Sequence, residues 1–288
     1  MPELPEVEVV KRSLDNKVQN LIIKKVKIDD DKLRYRIDKN ETRKIIGLKF
    51  IKIKRRSKFL LFFLSKNTVM LVHLGMTGKL IFVNKNIKHK TSFYYNINEE
   101  KDKKHDHVVF FFSKNRRLIY NDVRKFGFIK FFNNQNLNNN LHLNKLGPEP
   151  LEKNFNYNYF KKYIVGRNRT IKDILMDQKF LSGLGNIYTN EILFLSKIKP
   201  TRKVKKLKNF ELKKLIKFTR NVLDSSIKYG GSSIKDFSSS NGKKGSFQQH
   251  FNVYGKQGEC CSTLQCKSKI VRIVISNRAT FYCSKCQK

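Results

Sequence analysis

The chain has 288 residues, 39% of them hydrophobic and 12% aromatic, enough for a sizeable core and too many for a wholly disordered polypeptide. Lys and Arg number 62 against 23 Asp and Glu, a formal net charge of +39; compositional drift toward lysine supplies part of it, but the sign points to a polyanionic partner, most often nucleic acid. The longest apolar run, Phe59–Leu64, is far short of the roughly 20 residues that span a bilayer, and the acidic residues 1–8 lack an apolar leader region, so a cytoplasmic protein without membrane contact is expected.

Val7, Val10 and Leu14 recur at helical spacing over residues 5–15, where Pro5 suits a first turn. From about residue 45 to 132 the texture changes to short β-branched and aromatic runs, at Phe59–Leu64, 69–73, 80–83, 108–112 and 117–120. Broken by Gly, Asn or Lys, they predict a β-sandwich or barrel within a first domain of residues 1–133. The Asn-rich stretch 133–144 runs into Leu146-Gly-Pro-Glu-Pro150, so a linker is expected over 134–150.

Helical periods follow in residues 151–251. Ile171, Ile174 and Leu175 make one face, and Ile187, Ile192, Leu193 and Leu195 another after Gly183-Leu-Gly185; Asn209–Lys228 repeats Leu212, Leu215, Ile216, Leu223 and Ile227. Residues 230–245, rich in Gly, Ser and Lys, read as a mobile loop. All five cysteines fall in a final module, 252–288.

Cys261-x4-Cys266-x16-Cys283-x2-Cys286 presents two thiolate pairs around a hairpin-like Ile270–Ile275. That is a ligand pattern for one Zn²⁺, and four protein thiolates make a closed, structural site. Disulfides are not expected in a reducing compartment. Cys260 competes with Cys261 as the first ligand.

At the other end, removal of Met1 would expose the secondary amine of Pro2. An α-amino group, with a reference pKa of about 7.7–8.0, is partly neutral at pH 7 and can form a Schiff base with a sugar carbon. Glu3 and Glu6, within one turn, could move protons. The same residues also describe an ordinary helix N-terminus.

Set in order, Met1-Pro-Glu-Leu-Pro-Glu-Val-Glu8, Arg56-Ser-Lys58, His73-Leu-Gly-Met-Thr-Gly78, Lys104-His-Asp-His-Val108, Asp122-Val-Arg-Lys-Phe-Gly127, Leu146-Gly-Pro-Glu-Pro150, Met176-Asp-Gln178 with Gly183-Leu-Gly-Asn-Ile-Tyr188, and Arg278-Ala-Thr-Phe-Tyr-Cys283 closely resemble the bacterial formamidopyrimidine-DNA glycosylase family along nearly the whole chain. The resemblance implies an α+β fold: an N-terminal β-sandwich with a leading helix, then a helical domain with a helix–two-turn–helix element and a four-cysteine zinc hairpin. It implies removal of 8-oxoguanine and formamidopyrimidines from damaged double-stranded DNA, by a monomer acting on the nucleoid, with strand cleavage by β- and δ-elimination.

In those terms Pro2 is the nucleophile, Glu3 the acid/base and Glu6 a supporting carboxylate. Lys58 is the proton donor of β-elimination, and Arg278 serves δ-elimination and phosphate binding. Met76, Arg124 and Phe126 match the residues inserted into the base stack, a general device for unstacking DNA. His105, Arg124, Lys172 and Asn186 match DNA contacts, and Ser232 and Ser233 lie in the segment that covers the flipped base.

Two departures stand out. Asn168 occupies the position of a basic DNA contact, with Arg167 and Arg169 as substitutes, and the first cysteine gap is longer than the family's two residues. The alternatives are an endonuclease VIII-like enzyme for oxidised pyrimidines, which Leu4 and Met76 disfavour, and a catalytically decayed zinc-containing DNA-binding protein, which would need none of Pro2, Glu3 and Glu6.

Overall fold

Glu3 caps helix α1 (Leu4–Val18), and Pro5 sits in its first turn, where the N–H that proline lacks would have no helical partner. Val7, Val10, Leu14 and Val18 form its buried face. The computed structural model describes residues 1–84, 103–232 and 246–288, with the backbone alone for 87–90. It separates into two units, Met1–Asn144 with Tyr229–Ser246, and Lys145–Lys228 with Phe247–Lys288.

The first unit continues with β1 (Lys25–Ile28), α2 (Lys39–Lys44), β2 (Phe50–Arg56), β3 (Phe59–Leu64), β4 (Thr68–His73), β5 (Lys79–Asn84), β6 (Ile87–Lys90), β7 (Asp106–Phe111), β8 (Arg117–Asn121) and β9 (Phe128–Asn133). All pairings are antiparallel, in sheets ordered β2-β3-β4-β9 and β1-β7-β8-β5-β6. Leu60, Phe62, Met70 and Val72 of one sheet share a single core with Leu80, Phe82, Val108, Phe110 and Leu118 of the other and with the apolar face of α1. This is the expected sandwich.

Strands β5, β7 and β8 are apolar on both faces, since Ile81, Val83, Val109 and Ile119 bury in a second cluster. Burial on both faces is why these strands read as unbroken apolar runs. Each such side chain contributes about 1.5–3 kcal/mol of burial. The Asn-rich stretch is folded back by its own side chains: Asn133 Oδ1 accepts from Gln135 N–H at 2.9 Å and Asn140 Oδ1 from His142 N–H at 3.0 Å. The His142 ring then packs 4.8 Å from that of Phe128.

The second unit holds α3 (Tyr157–Ile164), α4 (Ile171–Met176), α5 (Asn186–Leu195), α6 (Asn209–Lys228) and the hairpin β10 (Ile270–Ile275) and β11 (Arg278–Cys283). Asn156 and Thr170 cap α3 and α4 by accepting from Tyr159 and Asp173 N–H. Phe194 of α5, Val253, Ile270 and Phe281 surround Cys261 and Cys283 in one cluster. The α+β class is therefore as expected. Among the described residues, no helix is long and apolar enough to cross a membrane.

Candidate active site and nucleic-acid interface

The start of α1 brings Glu3 and Glu6 together: Glu3, which follows Pro2, is the cap, and Glu6 lies in the first turn. Glu3 and Glu6 are only 3% and 2% exposed, an expensive position for carboxylates unless donors face them. Donors face Glu6 from two sides: Oε2 accepts from Glu3 N–H at 2.8 Å, and Oε1 from Ser232 N–H at 2.8 Å and Ser232 Oγ at 3.0 Å. The Met1 α-amine, at the head of the chain, lies below its ordinary pKa of 8.0 because burial strips its water. Glu3 and Glu6 oppose that shift, and Lys58 and Arg124 add to it. These four side chains thus lie within electrostatic reach of the Met1 amine.

Lys58 occupies the two-residue turn between β2 and β3, after Ser57 at φ 56°, and is 7% exposed. Nearby His73 is held at a pKa of about 4, by burial first and then by the cations Lys58 and Arg34 and by His142. Met76 lies between β4 and β5, Arg124 and Phe126 between β8 and β9. Met76 and Phe126 are 37% and 45% exposed, unlike the core residues that Met and Phe usually become. The Arg124 guanidinium lies over the Phe126 ring at 4.6 Å. His105 is half-buried, and its carbonyl accepts from Asp122 N–H at 3.1 Å, beside the Arg124 segment.

In the second unit the hairpin gathers three predicted residues. Asn186 Nδ2 donates to the Ala279 carbonyl at 2.9 Å, and Lys172 Nζ donates to the same carbonyl at 3.3 Å and to Thr280 Oγ1 at 2.6 Å. Arg278, one residue before, is exposed. Lys172 is 1% exposed and its pKa falls to about 8, through burial first and then Arg278, against the attraction of Asp173. Its ammonium is thus engaged by the hairpin rather than presented to solvent.

Asn168 is exposed. Of its neighbours, Arg169 is paired with Asp177 at 2.6 Å, and Arg167 lies over the Tyr163 ring at 4.2 Å while donating to the Tyr163 carbonyl.

Cys261, Cys266, Cys283 and Cys286 place their sulfurs within 4.8 Å of one another. The Cys261–Cys286 and Cys266–Cys283 pairs lie at 3.8 and 3.7 Å. A tetrahedron with metal–sulfur bonds of about 2.3 Å has edges of about 3.8 Å, whereas a disulfide needs about 2.05 Å. The residues therefore fit a four-thiolate metal site. Cys260 is exposed and outside the set, which leaves Cys261 as the first member.

Comparison with known proteins identifies the family. Residues 1–129 match the family described as the formamidopyrimidine-DNA glycosylase N-terminal domain, and residues 146–238 its H2TH domain. The formamidopyrimidine-DNA glycosylase of Rickettsia bellii (strain OSU 85-389) is 40% identical over 288 residues, covering 100% of both chains, and that of Roseobacter denitrificans is 36% identical over the same span. The chain belongs to the formamidopyrimidine-DNA glycosylase family. Among solved structures, a Lactococcus lactis FPG mutant in complex with a Fapy-dG containing DNA superposes with a TM-score of 0.86, at 31% identity over 100% of both chains. The Lactococcus lactis Fpg in complex with an abasic site containing DNA gives the same TM-score and identity over 99% of each.

Around this glycosylase-family site, motif reading passed over three supports. Arg55 Nε pairs with Glu8 at 2.9 Å and its Nη1 donates to the Ser57 carbonyl at 3.0 Å, tying the Lys58 turn to α1. Burial alone would raise the Glu8 pKa, but hydrogen bonds and charge from Arg12 and Arg55 hold it below the usual value. Gly231, at φ 82°, brings the backbone so close that an added Cβ would lie 3.1 Å from Glu6 Oε1. Ser232 is itself buried against Glu6, while Ser233 lies outside the described residues. The paired Gly230-Gly231 was the available signal; its partner Glu6 was not readable from spacing.

Proposed function

We propose that this chain is a bifunctional DNA repair enzyme that excises oxidised purines, 8-oxoguanine and formamidopyrimidines, and then cuts the strand at the abasic sugar. The observation that carries this reading is that three buried side chains, Glu3, Glu6 and Lys58, lie within electrostatic reach of the Met1 amine in a formamidopyrimidine-DNA glycosylase-family chain. With Met1 removed, the Pro2 nitrogen takes the role of that amine, and burial favours its neutral, nucleophilic form.

The Pro2 lone pair attacks C1′ of the damaged nucleotide, and the base departs with the electrons of its glycosidic bond and a proton. Glu3 delivers a proton to the sugar ring oxygen as the ring opens, leaving an iminium between Pro2 and C1′. Glu6, accepting from Glu3 N–H and from the Ser232 N–H and hydroxyl, holds the end of α1 in place. The iminium withdraws the electrons of the C2′–H bond, the proton passes to a base, and the 3′ phosphate leaves. A second elimination expels the 5′ phosphate, and water hydrolyses the imine to restore the amine. Lys58 donates protons in the first elimination, and Arg278 grips a phosphate. Met76, Arg124 and Phe126 fill the space left by the flipped nucleotide.

Cys261, Cys266, Cys283 and Cys286 would hold one Zn²⁺, which supplies a structural cross-link without an open coordination position. His105 and Arg124 contribute to duplex binding directly, whereas Lys172 and Asn186 contribute by holding the Ala279 carbonyl next to Arg278. Asn168 binds more weakly than a cation would, and we assign a monomer acting on chromosomal DNA.

Borohydride trapping on duplex DNA with one 8-oxoguanine opposite cytosine tests the reading, wild type beside Pro2→Gly. A covalent adduct with wild type alone is expected. An adduct that survives Pro2→Gly would overturn the N-terminal imine. Trapping on thymine glycol but not on 8-oxoguanine would move the substrate to oxidised pyrimidines.

A further inference from the structure

The segments that carry Met76 and the Arg124–Phe126 pair are neighbours by topology. Residues 74–78 cross from β4 in one sheet to β5 in the other, and residues 122–127 cross back from β8 to β9. Their ends are paired, His73 with Phe128 and Lys79 with Asn121, so the two crossings run side by side. They touch closely, since a Cβ on Gly75 would collide with the Phe126 and Gly127 backbone.

The second crossing begins at Asp122, which is fully buried and faces the first. Its Oδ1 accepts from Thr77 Oγ1 at 2.5 Å and Arg124 N–H at 3.3 Å, and its Oδ2 from Gly127 N–H at 2.8 Å and Tyr120 Oη at 3.4 Å. Thr77 Oγ1 in turn accepts from Arg124 N–H at 3.0 Å. One carboxylate and one hydroxyl therefore bind both crossings at their roots, while Met76, Arg124 and Phe126 stay exposed at the tips.

We propose that Asp122 and Thr77 are positioning residues that lock the two crossings into a single preformed wedge, so that the three exposed side chains enter a duplex together. This rests on the reading of the site given above. Unstacking and unpairing a damaged base costs a few kcal/mol, and a preformed abasic site spares most of that cost. A wedge ordered before binding loses less conformational entropy on entering the stack. The lock therefore matters most while a base must still be displaced.

The test measures single-turnover excision of 8-oxoguanine from duplex DNA, borohydride trapping on a duplex with a preformed abasic site, and the melting temperature. The proteins are wild type, Thr77→Val, Thr77→Ser and Asp122→Asn. Thr77→Val, which can neither donate nor accept, should slow excision about tenfold while abasic trapping falls less than about threefold. Thr77→Ser, which keeps the hydroxyl, should restore excision to within about twofold, and Asp122→Asn should lose at least as much as Thr77→Val. Excision by Thr77→Val at the wild-type rate, or an equal loss of excision and abasic trapping at unchanged melting temperature, would overturn the lock. If Asp122→Asn does not fold, the two Thr77 variants decide alone. Failure of the wild type itself on both substrates would overturn the site reading and the lock together, a pattern distinct from a failure confined to the variants.

Discussion

At the head of α1, Glu6 finds its donors in Ser232, 226 residues further along the chain, whereas the paired sulfurs of Cys261 and Cys286 are only 25 residues apart. Both places concentrate groups that are costly to bury as anions. The N-terminal site meets that cost with backbone and hydroxyl donors fixed by the fold, and the cysteine cluster is built to meet it with a cation. The difference teaches where each site is vulnerable. The first should fail gradually as individual donors are lost, and the second all at once when the ion is removed.

The sharpest way to break the comparison is at the cysteines. Cys283→Ser, or removal of the ion with a chelator, should abolish stoichiometric metal binding and unfold the hairpin that carries Arg278. Structural zinc supplies about 10–16 kcal/mol in isolated finger peptides, and metal analysis with amide exchange over 270–283 would read both effects. Equal protection with and without the ion would place the hairpin's stability in the surrounding cluster instead.

A second, smaller effect sits beside Lys58. The folded pKa of His73, about 4, lies below its ordinary 6.5, so between these values the unfolded chain binds a proton that the folded chain refuses. Its contribution is complete above pH 6.5 and is lost as pH falls toward 4, by about 3 kcal/mol. Urea unfolding at a series of pH values should show a shallower acid limb for His73→Phe than for wild type.

At Glu6, a Gln side chain would set an amide N–H₂ against one of the N–H donors, from Glu3 or Ser232. Glu6→Gln should therefore cost about 1–3 kcal/mol and slow imine trapping. Gly231→Ala, which must hold an L-residue at φ 82° against Glu6, should cost about 1–2 kcal/mol in thermal unfolding. Cys260→Ser should be nearly silent: the same metal content and the same melting temperature, because Cys260 is exposed and outside the cluster.

Much of this molecule is written in short-range pattern. The helical period of Leu212, Leu215, Ile216, Leu223 and Ile227 marks Asn209–Lys228 with the bounds that α6 adopts, and the apolar run Phe59–Leu64 coincides with β3. The cysteine spacing delivers a four-sulfur cluster. Such features are legible because periodicity and chain length constrain which residues can share a face or reach a common point. Strand β1, too short and lysine-rich for an apolar signal, is legible only through its ladder with β7.

What the tertiary structure decided is the pairing of distant polar groups. It turned the start of the Gly/Ser-rich stretch into the support of Glu6, buried Lys172 against Thr280, chose Cys261 over Cys260, and set Asp122 against the facing crossing. A hydrogen bond depends on sub-ångström placement of donor and acceptor, and that placement exists only once the sheets and helices have packed. The sequence by itself names the residue types a site needs; the packing assigns each buried charge its partner, because an unpartnered one would cost more than the fold can absorb.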